Sequence, residues 1–454
     1  MNRRNFLSNA ALIGAGSTLG ASPLLSSCST QDSKPVKQYT PEELGMFSFV
    51  NIAPDGKPLK AALVGCGDRG TGAATQFLKA GPNVSIIAMA DIFKDRLEGS
   101  RNHLKEKYKN EVPEANCFLG FDAYQKVLAM PEIDLVLLCT PTHFRPEHFK
   151  AAIDAGKHVF MEKPCAVDPV GIRTVLASSK IATQKGLTVV TGNQRRHSRA
   201  YWEAYVQVRN GLIGDIVSGS AHWDQGAWWN KKQRPEWSDM EYCIRNWFNI
   251  KWLSGDHILD QGIHNIDIVT WFMGMHPTSA VGFGGRAQRL TGDIFDFFSV
   301  DYYYEKNRKM LHTARQIDGT ENNVSEQVYG TKGMFTTRNM GDKTGIRIED
   351  YEGNILWAYD YKAKPEKNHY DQEHIHLVES IRLNKKINQA TDLAYSTLVA
   401  IHGREAAYTG KAISWNEISN SPLRYGPEKY ELGPLDFYQE GVAPKPGVAP
   451  SQPM

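Results

Sequence analysis

The chain has 454 residues, 52 basic and 50 acidic, long enough for two ordinary domains. Its surplus of two positive charges is Arg3 and Arg4, so residues 28–454 are neutral overall, which leaves no basic footprint for nucleic acid. Beyond Cys28 there are five cysteines, Cys66, Cys117, Cys139, Cys165 and Cys243, without C-x-x-C spacing. That odd number favours small buried hydrophobes over a disulfide framework or a zinc site.

Residues 1–27 open with Arg3-Arg4-Asn5-Phe6-Leu7, continue with a Gly- and Ala-rich run over 10–25, and hold no acid. The stretch resembles a twin-arginine export signal, and the run is too short and too diluted by Gly and Ser for a span of about 20 apolar residues. Leu25-Ser26-Ser27-Cys28 resembles a lipobox. Acylation of Cys28 would attach the protein to a membrane, and the expected location is the periplasm or cell envelope. Residues 28–58 are polar and contain proline, which predicts a tether.

From residue 59 the pattern changes. Apolar runs at 60–67 (KAALVGCG), 85–91 (SIIAMAD), 135–140 (LVLLCT), 158–162 (HVFME) and 187–191 alternate with amphipathic stretches. This predicts a parallel sheet covered by helices on both faces, a dinucleotide-binding Rossmann domain over 59–190. Gly65-Cys66-Gly67-Asp68-Arg69-Gly70 fits G-x-G-x-x-G at a strand-to-helix junction. Its glycines permit a tight turn and close approach of backbone to a pyrophosphate. Asp91 ends the next run, where a carboxylate accepts from ribose hydroxyls and repels a 2′-phosphate. NAD is the expected cofactor, with NADP kept open by Lys94 and Arg96 nearby.

Lys163 follows an apolar strand, and ligands of parallel sheets lie outside the strands' carboxyl ends. An ammonium there can bind a substrate hydroxyl and stabilise developing alkoxide charge. Asp260 and His264 are four apart, one helical face, and an imidazole suits removal of a carbinol proton. Competing readings are an Asp/His ion pair and a metal site built from His257, Asp260, His264 and Asp267, whose spacing is no recognised zinc pattern, so no metal is expected. Six of the ten tryptophans fall within residues 223–252. Such faces stack on pyranose rings, so Trp228 and Trp229 are candidate substrate contacts, with core packing as the rival. Arg195, His197 and His312 are further candidate pocket groups. Alternating segments at 297–304 and 309–316 predict antiparallel strands, a helix follows over 392–409, and residues 427–454 read as a surface arm.

Several segments resemble the Gfo/Idh/MocA family (glucose–fructose oxidoreductase, inositol dehydrogenase and relatives). They are Thr140-Pro141-Thr142-His143, A-G-K-H-V at 155–159, Glu162-Lys163-Pro164, Gly192-Asn193-Gln194-Arg195-Arg196, residues 210–216, and residues 260–267. The resemblance implies an α/β chain, with the Rossmann domain followed at 191–426 by an α+β substrate and oligomerisation domain whose open sheet is mainly antiparallel. It adds Thr140, Pro141, His143, Glu162, Lys163, Asn193 and Gln194 to the cofactor contacts of Gly65, Gly67, Asp68, Arg69, Gly70 and Asp91. It makes Lys163 and His264 catalytic, Asp260 the partner of His264, and Arg195, Trp228, Trp229, Asp260 and His264 substrate contacts. The expected substrate is a small sugar or polyol, and the expected assembly a homo-oligomer, dimer or tetramer. An exported enzyme meets no soluble nicotinamide pool, so it must hold its cofactor tightly and restore it each cycle. Net sugar oxidation coupled to a second carbonyl compound satisfies that demand. So does redox-neutral glycoside cleavage by oxidation, elimination and hydration, although the N-acetylgalactosaminidase branch differs where Glu162-Lys163-Pro164 stands. A carbohydrate-binding lipoprotein without catalysis is the reading from another class.

Overall fold

Alternation along the first apolar run sets the architecture. The computed structural model describes residues 37–338 and 345–447, with Gln38 onward forming one unit; residues 1–27, expected to be an export signal, and Cys28 lie outside the described residues. In β1 (Leu59–Val64), Ala61 and Leu63 pack into one core with Phe77 and Phe160, while Ala62 and Val64 pack into another with Phe149 and Ile172. Both faces are buried, as a parallel sheet under two helical layers requires. The chain continues through α1 (Asp68–Lys79), β2 (Val84–Asp91), α2 (Lys94–Tyr108), β3 (Cys117–Leu119), α3 (Ala123–Leu128), β4 (Leu135–Leu138), α4 (Arg145–Asp154), β5 (His158–Met161), α5 (Pro169–Gln184) and β6 (Val189–Thr191). The strand order is β3-β2-β1-β4-β5-β6, all parallel. Its order reverses between β1 and β4, which opens a crevice at the strands' carboxyl ends.

The second half begins with α6 (Arg199–Arg209), β7 (Ile216–Gln225), α7 (Asp239–Arg245), α8 (Lys251–Ser254), α9 (His257–Asp260) and α10 (Ile263–Met273). Then come β8 (Ser279–Gly285), β9 (Phe297–Tyr303), β10 (Lys309–Gln316), β11 (Asn323–Gly330), β12 (Met334–Thr336), β13 (Arg347–Glu349) and β14 (Ile355–Ala358). The chain closes with α11 (His369–Arg382), α12 (Ala390–Thr409), β15 (Ile413–Ser414) and α13 (Trp415–Asn420). The strands form a nine-stranded sheet, β14-β13-β12-β11-β7-β10-β9-β8-β15, antiparallel except for β7 and β10. One face packs on α10 and α12; the other shows Val217, Val281, Phe283, Leu311 and Val324 to solvent. No helix among the described residues is long and apolar enough to cross a membrane.

Two segments depart from the divisions expected from sequence. Residues 38–58, read as tether, are docked along the body. Tyr39 N–H donates to Asn210 Oδ1 (2.7 Å), Ser48 Oγ to Glu379 Oε1 (2.6 Å) and Ala53 N–H to Ala80 O (2.8 Å). Phe47 stacks on His197 with ring centres 5.3 Å apart. Few apolar residues suffice here because their partners lie far off in sequence. The boundary at residue 191 also fails for α11, whose Ile375, Leu377 and Val378 enter the first domain's core beside Leu63 and Phe77.

Burial of many histidines makes the fold acid-sensitive. Burial first, and Arg145 next, holds His148 down at about 3; burial brings His312 to about 3 and His376 to about 4. These groups stay neutral when folded, whereas the unfolded chain protonates them near 6.5, so stability falls as pH drops through that value. Calorimetry should show Tm level above about pH 6.5 and declining from there to about pH 4.5, with up to about 1.4 kcal/mol lost per pH unit for each such histidine. A flat Tm over that window contradicts this.

Candidate active site

The glycine turn is shaped by three different constraints. Gly65 has φ +92°, and a Cβ on it would lie 2.7 Å from the Cys139 carbonyl carbon. On Gly70 a Cβ would lie 1.8 Å from Gly65 O, so that glycine lets α1 approach β1. Gly67 differs: its Cβ would meet only Arg96 Nη1, at 3.0 Å, on the side open to a cavity of about 1060 Å³. Asp91 closes the turn by accepting from Cys66 N–H (2.6 Å) and Phe93 N–H (2.8 Å). Burial pushes its carboxyl up, against those two donors and Arg96.

The cavity runs from this turn to the junction of the two domains, and its size stands at the upper end of the roughly 300–1,000 Å³ usual for small-molecule sites. Gly65, Gly67, Asp68, Arg69, Gly70, Asp91, Thr140, Pro141, Glu162, Lys163, Trp228, Trp229, Asp260 and His264, all expected from sequence, line it. A flat open turn at a helix N-terminus with a carboxylate beyond the next strand suits a dinucleotide.

At the reacting end, Lys163 Nζ donates to the backbone oxygen of Asp260 (2.5 Å), with the Asp260 carboxylate 3.7 Å away. This revises the expected role of Asp260. It ends α9, whereas His264 belongs to α10 beyond a break at Gln261-Gly262, and no hydrogen bond joins the two among the described residues. Gly262 is the tight point: a Cβ would come 2.5 Å from Ile258 O and 2.8 Å from His312 Nε2. Asp256 sets the direction of α9 at φ +77°, accepting from His257 N–H (2.6 Å), Phe295 N–H (2.8 Å) and Tyr408 OH (2.5 Å).

His264 lies against Trp223, ring centres 5.3 Å apart. Burial, then Lys163 and Arg195, holds its imidazole well below the usual range, so it is neutral and able to accept a proton. Arg69 pairs with Glu162 and donates to Glu373 Oε1 (3.0 Å) across Tyr370. Burial raises the Glu373 carboxyl well above the ordinary range. Although burial also works to raise Glu162, Arg69, Arg145 and Lys163 outweigh it.

Four expected contacts and two further candidate pocket groups lie outside the cavity lining. His143 turns to the Tyr430 hydroxyl (2.7 Å) and packs edge-on to Trp252. Gln194 donates to Tyr370 OH (3.1 Å), and the buried Asn193 amide makes no hydrogen bond among the described residues. Arg195 is paired with Glu326, its guanidinium 5.6 Å from the centre of the Trp223 ring. His197 is joined to His376 (2.7 Å) and His312 to Ala221 O (2.8 Å), both inside the protein. Of the metal alternative, His257 is bonded to Asp256 and Asp267 to Arg196. The tryptophans divide: Trp223, Trp228, Trp229 and Trp247 line the cavity, and Trp252 is core.

Sequence reasoning missed Arg145, Lys231 and Tyr370, which also line the cavity. Buried Arg145 donates through Nη1 to Pro164 O (2.5 Å) and Thr142 Oγ1 (3.2 Å), fixing the backbone after Lys163. Its place just beyond Thr140-Pro141 was the available signal. Tyr370 arrives on α11, more than two hundred residues later, with no local signal.

The turn yields a paired prediction. Gly67→Ala should keep a Tm near the parent and lose dinucleotide affinity, whereas Gly70→Ala should lose more than about 3 kcal/mol of stability. Thermal melts and reduced-nicotinamide fluorescence titration read the two effects; equal melting losses would contradict the assignment.

Comparison with known proteins agrees with this fold. Residues 59–192 match the model described as "Oxidoreductase family, NAD-binding Rossmann fold", and residues 201–336 match the GFO/IDH/MocA C-terminal domain. A Streptomyces coelicolor protein named glycosyl hydrolase family 109 protein is 28% identical over 222 residues, 48% of this chain and 44% of that protein. The chain thus spans about half the length of the curated relatives of that name. The structure of Lactobacillus casei scyllo-inositol dehydrogenase with NAD(H) and scyllo-inositol has a TM-score of 0.59 at 22% identity, covering 79% of this chain and 99% of that one. Caulobacter crescentus aldose-aldose oxidoreductase with glycerol gives 0.61 at 18% identity, with coverages of 79% and 99%. With both of its domains matched, the chain belongs to the Gfo/Idh/MocA oxidoreductase family and carries that family's NAD-binding Rossmann domain.

Proposed function

We propose that this protein transfers hydride between a carbinol carbon of a sugar or polyol and tightly held NAD. The observation that carries the reading is that Lys163 and His264, from different domains, line one cavity with the glycine turn. NAD held along Gly65–Gly70 and Asp91 would supply the hydride-accepting ring. Lys163 orients the substrate hydroxyl and stabilises negative charge on its oxygen. His264, neutral and backed by Trp223, takes the hydroxyl proton. Asp260 positions Lys163 through its backbone oxygen, and Trp228 and Trp229 offer flat faces to a sugar ring. The names of the two solved relatives, an inositol dehydrogenase and an aldose-aldose oxidoreductase, support a polyhydroxylated substrate.

The glycosyl hydrolase name of the 28% identical relative favours a second reading, glycoside cleavage without net oxidation. Export through residues 1–27, lipidation at Cys28 and homo-oligomerisation stay part of the proposal, and an exported enzyme favours a closed redox cycle in either case.

Protein purified without added cofactor should release about one equivalent of nicotinamide on denaturation, as expected for a site that restores its cofactor each cycle. A panel of sugars and aryl glycosides, with and without a carbonyl acceptor, separates net oxidation from cleavage. Lys163→Ala and His264→Ala should each lower turnover about a hundred- to ten-thousand-fold while remaining folded. Full turnover in either variant, or a cofactor-free protein that binds sugars only, would sink the reading.

A further inference from the structure

The segment leaving β7 crosses back to the first domain before α10 begins. Residues 226–247 leave the second sheet and return beside α2, and their contacts there are strong ones. Arg245 donates through both terminal nitrogens to Asp95, at 3.0 and 3.0 Å. Its guanidinium carbon lies 3.9 Å from the Phe93 ring centre and 5.2 Å from that of Trp237. Asp95 and Phe93 follow Asp91 directly, so this latch closes at the edge of the dinucleotide crevice. A bidentate pair stacked between two rings is the kind of contact for which arginine is not replaceable by lysine.

What the segment carries across is Lys231. Its N–H donates to Asn246 Oδ1 (2.9 Å), and Asn246 Nδ2 in turn donates to Asn230 Oδ1 (3.1 Å), which fixes the loop against a buried residue. Lys231 lines the cavity beside Gly67, Asp68 and Arg96. Its ammonium has neither ion pair nor hydrogen bond among the described residues, and Arg96 has only Asp68, 3.9 Å away and fully solvated. Burial and the neighbouring Arg96 lower the Lys231 ammonium. Two cations from different domains thus line one cavity with the glycine turn, Lys231 with no carboxylate in salt-bridge range among the described residues and Arg96 with only the exposed Asp68.

We propose that Lys231 and Arg96 clamp the diphosphate of the bound dinucleotide, and that the Arg245–Asp95 latch keeps residues 226–247 closed over it, so that the cofactor exchanges slowly. The diphosphate is favoured over a 2′-phosphate because Arg96 lies against Gly67 and Lys231 lines the same cavity, whereas a 2′-phosphate beside Asp91 would meet its carboxylate. The inference rests on NAD binding at the glycine turn and on no particular substrate.

The test is cofactor binding itself, by fluorescence titration with NADH and NADPH and by nicotinamide retained through gel filtration. Lys231→Ala should weaken both dinucleotides alike, by about tenfold or more, and Lys231→Arg should restore them. Arg245→Ala should speed cofactor release, and Asp95→Asn, which removes the exposed carboxylate charge that holds Arg245, should do the same if Arg245→Ala proves unstable by circular dichroism. Parent-like NADH affinity in Lys231→Ala, a loss confined to NADPH, or unchanged release in Asp95→Asn would each overturn the proposal.

Discussion

One contact between domains fixes the geometry on which everything else depends: Lys163 Nζ, at the end of β5, donating to the backbone oxygen of Asp260 at the end of α9. Each partner is itself held. Pro164, after the lysine, accepts from buried Arg145, and α9 is aimed by Asp256 with four hydrogen bonds to its carboxylate. A nearly buried ammonium left without such an acceptor would carry a desolvation cost on the order of several kcal/mol. Closing the two domains on one another is therefore also what completes the site, and His264 is brought in one turn further along, past Gly262.

The charges around that contact are partitioned rather than pooled. Arg69 is committed to Glu162 and Glu373, Arg195 to Glu326, and Arg245 to Asp95. Lys163 alone has its partner at 3.7 Å, with its head on the cavity, and Arg145 faces the same region with no carboxylate within salt-bridge range among the described residues. The reacting end is thus net positive beside a neutral imidazole. Such an arrangement favours negative charge on a substrate oxygen while leaving a base able to take its proton.

Much of this was legible in the sequence because it is local. Short continuous apolar runs marked β1 and β4 as strands buried on both faces, the G-x-G-x-x-G turn announced its own conformation, and Lys163 and His264 stand in short motifs. What escaped was whatever depends on distant chain returning. Residues 38–58 looked like tether because Phe47 and Phe49 find their partners at His197 and His376. Tyr370 reaches the cavity, and Glu373 reaches Arg69, from a helix that sequence order assigned to the other domain. The four-residue spacing of Asp260 and His264 suggested one helical face, but a glycine at the crossing of α9 and β10 breaks the helix and sends the aspartate to the lysine instead. Arg195 and His143 stood in the right motifs, yet Glu326 and Tyr430 draw them away from the cavity.

The central claim is that Lys163 and His264 act on the same substrate oxygen. A crystal structure of the protein with NADH and an unreactive deoxy or fluoro analogue of a substrate would test it most directly. The account expects one hydroxyl of the analogue within about 3.2 Å of both Lys163 Nζ and a His264 ring nitrogen, normal hydrogen-bond reach. A sugar seated elsewhere, or one of the two side chains turned to a different cavity, would contradict it.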